Sequence, residues 1–491
     1  MMPLYSLISI SVFFLLYCFA VPISTINILN SLPQITYISF GLLVFAISLS
    51  VHIPKKIVSV MVGMVCLVSG GLFFLHLLFP ALFSFLKPDA FQFIIPVGEG
   101  HNHLGDLVGL GLVSSLIFPF PSIIGVCIIT IYLLILIVTF SKSAFLATFI
   151  TFYFLLIKKR RSAIITILVI TTTVITVAMY TKEFSYIQPL DKLQTYMSKV
   201  LHLTPKPLFS SRDLYFIQAS KSWITTSLDH SFFGYGPGNF IYASKKSADY
   251  VWHETSEAHN LLLTFFMESG PLPTFWFIVF LALTIYVGVQ TNNPITFLFL
   301  YLFINFQTDY TYRIPLFFFF FFFFSGQIFA PLLKKGGKKM VSIFIVAFAI
   351  TTSLFGISTL YINHNYKTLM SQLDKLALTN KKELFAATAQ KLETYTPYDE
   401  AFLIQLSIYN EQFNVNESIR LLEKLSVYSP HKYLTLLSHQ LDLQIKENVN
   451  IKKYLDSRKK MFSTFPYSQK EKDQLNMICM IYTKTKCISS P

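Results

Sequence analysis

Apolar runs long enough to cross a bilayer, about 17–25 residues each, recur along the first three quarters of this chain. A lipid core admits only helices and closed barrels as spanning structures. Long runs without strict alternation predict helices. Candidate spans fall at 4–22, 35–51, 57–79, 104–119, 122–140, 143–157, 163–180, 261–289, 295–310, 314–333 and 340–362. The expected fold is therefore an all-α polytopic membrane protein with about 11 (10–12) transmembrane helices. Composition agrees, with 53% of the 491 residues apolar and 13% charged, where a soluble domain carries roughly 25% charged. One signal peptide cannot account for so many runs, and the first reads as a retained span. The run from Phe317 to Phe324 is predicted to be lipid-facing or packing surface.

The net charge of +14 comes with basic clusters between spans, which points to cytoplasmic anchoring rather than to nucleic acid. Lys55-Lys56, Lys158 to Arg161, and Lys334-Lys335 with Lys338-Lys339 are the clusters, and an even number of spans separates each from the next. All three then lie on the cytoplasmic side, with the amino terminus inside and the carboxyl terminus outside. Residues 80–103, the Ser141-Lys142-Ser143 turn, the loop 181–260 and the tail beyond 362 fall on the outer face. Residues 1–362 form the expected membrane domain, with 181–260 as a large extracytoplasmic loop.

After Tyr361 charged residues interleave at helical spacing, which predicts a separate extracytoplasmic domain over 363–491. Tyr395-Thr396-Pro397, Tyr428-Ser429-Pro430 and Phe465-Pro466 each close an amphipathic segment, near the roughly 34-residue period of tetratricopeptide helix pairs. Such repeats suit a protein partner. Of the cysteines, Cys18, Cys66 and Cys127 sit in apolar spans, while Cys479 and Cys487 can form a disulfide if that end faces an oxidising compartment.

Ionisable residues collect where the external loop meets the next apolar run, in HETSEAHNLLLTFFMESG (253–270). His259 sits where water ends, and a neutral imidazole can take a proton from a hydroxyl. The alternative for His259 is interfacial anchoring. Glu268 follows about two and a half helical turns later, at a depth where charge is expensive and points to function. Glycines 234, 236 and 238 around Pro237 predict a tight turn, bringing backbone close to a ligand or to a neighbouring span. Lys142 breaks the positive-inside pattern and, with Arg212, suggests an anion site for phosphate. Asp309 and Arg313 stand four residues apart, a spacing that favours an ion pair on one helix face. The cluster Glu99 to Asp106 lacks HxxxH or HExxH spacing, so no metal is expected. No phosphate loop, dinucleotide fingerprint or nucleophile elbow is present.

Four motifs in order, HNHLG (101–105), SKSA (141–144), Arg212 ahead of FFGYGPGNF (232–240), and AHNLLLTFFMESG (258–270), resemble the O-antigen ligase and polymerase superfamily, which includes bacterial O-linked oligosaccharyltransferases. The resemblance covers roughly residues 90–290. It implies a metal-independent, inverting glycosyltransferase of the cytoplasmic (inner) membrane, using no cofactor and taking a glycan from undecaprenyl diphosphate. The acceptor is a lipid, a glycan or a protein. His259 is the implied base, and Arg212 and Lys142 are the implied diphosphate contacts. Asn260, Glu268, His103, Gly236, Gly238, Asp309 and Arg313 are the further candidates for the substrate site. The family usually has arginine where Lys142 stands, and often glycine where Pro273 stands. The competing readings are a transporter or flippase of lipid-linked sugars, with polar groups in broken helices near the midplane, and a membrane anchor for the repeat domain.

Overall fold

A computed structural model describes residues 2–78, 101–118, 122–139, 141–158, 212–248, 254–333 and 335–488, the last stretch apart from residues 380, 412, 429, 448, 465 and 466. The expected span at 163–180 lies outside these residues. Among the described residues every regular element is helical. The membrane part opens with α1 (Met2–Ser24), α2 (Ile28–Ser50) and α3 (Lys55–Leu78), followed by α4 (His101–Ile117), α5 (Ser122–Thr139) and α6 (Lys142–Lys158). Three short helices then precede the next apolar stretch: α7 (Arg212–Thr225), α8 (Leu228–Phe233) and α9 (Phe240–Ser247). It resumes with α10 (Leu261–Ser269), α11 (Pro271–Gln290), α12 (Ile295–Phe306), α13 (Pro315–Phe329) and α14 (Lys335–Leu378). By length and composition, six of these are able to cross a membrane: α1, α2, α3, α11, α13 and α14.

Helix α13 is the packing centre. Phe317, Phe318 and Phe320 to Phe324 are all buried, so the phenylalanine run is packing surface rather than lipid-facing surface. Phe321 stacks on Phe299 at 4.8 Å and meets Phe306 at 5.2 Å. Helices in lipid gain nothing from hiding apolar surface and associate instead through close packing over small residues. Gly41 on α2 faces the rings of Phe318 and Phe322, and Gly326 on α13 lies against the α2 backbone at Phe45. Any side chain at either glycine would force these helices apart.

Two apolar stretches depart from the expected straight spans. The run 261–289 is two helices, α10 and α11, with Gly270 between them at φ 86. In one continuous helix the twelve positions from Phe265 to Phe277 would span about 18 Å. Their rings instead touch at 4.9 Å, so the chain turns sharply at Gly270. Helix α12 has only 12 residues and rises about 18 Å, short of a hydrocarbon core of about 30 Å. After it the chain runs through a turn and a short 3-10 helix at Thr311–Arg313. Non-helical backbone is tolerated at membrane depth only inside protein, and here Asp309, Thr311 and Tyr312 are buried. The Gln307 carbonyl accepts from Asn260 Nδ2 at 3.1 Å, and the Tyr312 carbonyl from Tyr37 at 2.9 Å.

The expected boundary at 362/363 falls inside α14, whose 44 residues extend about 66 Å. One helix therefore leaves the membrane part and enters the carboxyl-terminal part without a linker. There Leu373 joins a core with Phe385, Leu392, Phe402 and Leu421, drawn from α15 (Lys382–Glu393), α16 (Glu400–Asn410) and α17 (Val415–Tyr428). Helices α18 (Pro430–Lys446), α19 (Ile451–Thr464) and α20 (Gln469–Thr483) follow, and Cys479 and Cys487 are joined in a disulfide. The start of this part is fastened to the membrane part: Lys245 pairs with Glu400 at 2.7 Å, and Ile28 N donates to the Tyr395 carbonyl at 3.3 Å.

Candidate functional site

Residues 254–260 approach α10 in extended and bent backbone, and Asn260 caps the helix by accepting from Leu263 N at 2.8 Å. The same amide donates to Gln307, so Asn260 ties the start of α10 to the end of α12. Directly before this cap, His259 takes φ 51. This left-handed conformation is uncommon for a residue with a side chain, and strain of this kind concentrates where geometry serves function.

The His259 ring is held on three sides. It stacks on Tyr215 of α7 with centroids 5.1 Å apart, and the edge of Tyr310 meets it at 4.8 Å. Nδ1 lies 3.4 Å from Asp309 Oδ1, within ion-pair reach but without hydrogen-bond alignment. His103 meets the Tyr310 ring edge-on with centroids 5.0 Å apart, which brings it into the same neighbourhood. Behind Asp309 the hydroxyl of Ser143 bridges two carboxylates, 3.2 Å from Asp309 and 3.0 Å from Asp106. Ser141 also reaches Asp106, at 3.1 Å. Both aspartates are buried. Lys142, half-buried, opens α6 between these serines. Arg212 is in the first turn of α7, one turn before Tyr215; its side chain lies outside the described residues.

The expected Asp309–Arg313 pair does not form, because residues 307–314 are not one helix and the two side chains enter different clusters. Arg313 Nε faces both Glu257 oxygens, at 2.8 and 2.9 Å, and Nη2 meets Glu268 at 2.7 Å. Tyr17 donates to Glu268 at 2.8 Å and Tyr312 to Glu257 at 3.1 Å. Burial pushes the Glu257 carboxyl above the usual carboxylate range, against the opposing pull of Arg313. Glu268, an expected substrate contact, is fully buried and bonded to Arg313 and Tyr17. With Arg313 it locks α1, α10 and the segment before His259 together.

Gly236 and Gly238 are likewise committed elsewhere. Both have positive φ, and a side chain on them would strike Thr25 and Asn30 at the α1–α2 turn. Ser31 donates to the Pro237 carbonyl at 2.8 Å, and Asn239 donates to the Asn27 carbonyl at 3.3 Å. Tyr235 N donates to the Met267 carbonyl at 2.8 Å. Of the two readings of the glycine turn, close approach to a neighbouring span is the one observed.

The geometry thus gathers His259, Asp309, His103 and the Ser141-Lys142-Ser143 turn, and it assigns Glu268, Arg313, Gly236 and Gly238 to the supporting frame. Tyr215 and Tyr310 join the site without having been candidates, and so does Asp106, weighed only as part of a metal cluster. Asp106 stands one residue beyond HNHLG, and a charge at the start of an apolar run was the available signal. Compared with known proteins, the chain matches no family model, and no curated protein matches it.

Proposed function

We propose that this chain is a membrane glycosyltransferase. It moves a glycan from an undecaprenyl-diphosphate-linked donor to an acceptor hydroxyl on the outer face of the cytoplasmic membrane. The observation that carries the reading is His259, strained and stacked, with Nδ1 turned to the buried Asp309. A carboxylate beside Nδ1 favours the tautomer that leaves Nε2 free as a base. Nε2 takes the acceptor proton, the acceptor oxygen attacks the anomeric carbon from the side opposite the leaving group, and the bond to the diphosphate oxygen breaks with inversion. The diphosphate leaves with its charge met by Lys142 and Arg212. The acceptor is a lipid, a glycan repeat or a protein, and no cofactor takes part.

The proposed topology has eleven spans, with the basic clusters inside and the carboxyl-terminal helices outside as tetratricopeptide-like repeats. The disulfide Cys479–Cys487 supports that side, because disulfides persist in oxidising compartments. A groove of about 670 Å³ between α15, α16 and α17, floored by Phe385, Ala389 and Leu406, is the proposed docking place for a protein partner.

One observation favours the second reading, a transporter of lipid-linked sugars: the breaks at Gly270 and 307–314, since transporters use discontinuous helices. Detergent-solubilised protein supplied with donor and acceptor, with no sealed membrane, separates the two. The transferase reading expects product and free undecaprenyl diphosphate. Absence of product in detergent, with donor crossing in sealed vesicles, supports the transporter and overturns the transferase.

A further inference from the structure

The exposed face of helix α7 is largely apolar, with Lys221 and Thr225 along one edge. Its inward face carries Tyr215, Gln218, Ala219 and Ser222, with Gln218 accepting from Ser244 at 3.1 Å and Ser222 bonded to Tyr235 at 2.6 Å. Its outward face carries Phe216, Ile217, Trp223 and Ile224, and Ile224 is 75% exposed. The following α8 continues the pattern, with Leu228 77% and Phe232 62% exposed. Water would oppose such a face, because large contiguous apolar patches mark contact with a partner or a membrane. The helix spacing is regular: 216 and 223, and 217 and 224, are seven residues apart and line one stripe.

The stripe adjoins apolar surface on the bundle. Helix α8 packs against α1 and α11, Gly270 sits under the Phe232 carbonyl, and Trp223 meets Phe266 of α10 at 5.3 Å. Beside it α1 exposes Phe19 and Ile23, and α11 exposes Leu272 and Phe275. These helices are among those long and apolar enough to cross the membrane. A surface continuous with them meets the same solvent.

We propose that α7 and α8 are not a solvated loop but lie in the bilayer interface, with Phe216, Trp223, Ile224, Leu228 and Phe232 among the lipid chains. The occupant of this face is bilayer lipid. The arrangement has a consequence for the site: α7 turns one face to lipid and places Tyr215, on the other, against the His259 ring. It is therefore the wall between the membrane and the His259 cluster. The inference stands apart from the transferase reading, since it concerns where the helices lie and not what is turned over.

The test uses the full chain in nanodiscs, with Trp252→Phe and Trp276→Phe leaving Trp223 as the remaining tryptophan. Lipids brominated near the glycerol end of their acyl chains are expected to quench Trp223 strongly, and aqueous acrylamide weakly. Strong acrylamide quenching with none from bromolipid overturns the proposal. Protection from both quenchers also overturns it, because that is the signature of a second protein copy covering the face. Ile224→Cys carrying a nitroxide gives an independent reading. Greater accessibility to oxygen than to a water-soluble nickel chelate is expected, and the reverse contradicts the placement.

Discussion

Asp309, buried, and Arg313, half-buried, are four residues apart, yet they enter polar clusters of opposite character. Around Arg313 each partner is matched: the guanidinium meets Glu257 and Glu268, and the tyrosine hydroxyls of Tyr17 and Tyr312 donate to those same carboxylates. Around Asp309 the carboxylate accepts from Tyr310 N at 2.7 Å, and its side-chain neighbours are matched less closely to one another. Ser143 has one proton for two carboxylates, and His259 Nδ1 and Asp106 Oδ2 make no aligned hydrogen bond among the described residues. A closed network supplies rigidity, whereas the His259 imidazole, with Nδ1 towards Asp309, is proposed to take a substrate's proton at Nε2. Under the transferase reading, the difference separates the charges that hold this protein together from those proposed to carry the chemistry.

The sharpest way to break the comparison is to remove the guanidinium. Arg313→Ala leaves the buried Glu268 and the half-buried Glu257 without a counter-ion and is expected to cost about 3–5 kcal/mol, read as a large fall in thermal stability in detergent. If the variant melts with the wild type, the cluster is not the frame described here. Gly270→Ala follows, at about 1–3 kcal/mol for a side chain forced into positive φ, with the Phe232 carbonyl in its path. Its melting temperature checks this. Asp309→Asn keeps the volume and is expected to slow transfer roughly tenfold, about 1.4 kcal/mol in the barrier, with little change in melting temperature. A melting loss without a rate change would move Asp309 to the structural side.

The smallest effect lies in the carboxyl-terminal helices. Burial alone would raise the Glu393 carboxyl, but Lys424 and Arg420 outweigh it and hold it below the usual range. A depressed folded-state pKa adds stability that is present above the ordinary carboxylate range and is lost as pH falls through the folded value. Screened by solvent, the contribution is under about 1 kcal/mol. Acid titration of stability should therefore flatten slightly in Glu393→Gln, and an unchanged acid limb would show that the pair contributes nothing.

Straight spans such as α1 and α2 are legible because nothing interrupts their apolar runs. The bend at Gly270 is harder to see, since hydropathy continues across it from Leu261 to Val289. Its signal is the order Ser269-Gly270-Pro271, a stop followed by a start, read against a run that argues for continuity. His259 stands out by its place at the head of an apolar helix, but its partner does not. The Asp309–Arg313 spacing presumes a helix, and the chain has already left α12 by residue 307. The surroundings of Glu268 are hard to read for a related reason. A charge at membrane depth signals either function or a partner, and Arg313 and Tyr17 come from segments distant in sequence.

The central claim, that the His259 cluster performs the chemistry while the Arg313 cluster holds it in place, is tested most directly with purified His259→Ala. Its affinity for the undecaprenyl-diphosphate-linked donor and its transfer rate should be measured on the same preparation. Unchanged donor binding with transfer reduced about 10²–10⁴-fold is the predicted result, and transfer at the wild-type rate would contradict it.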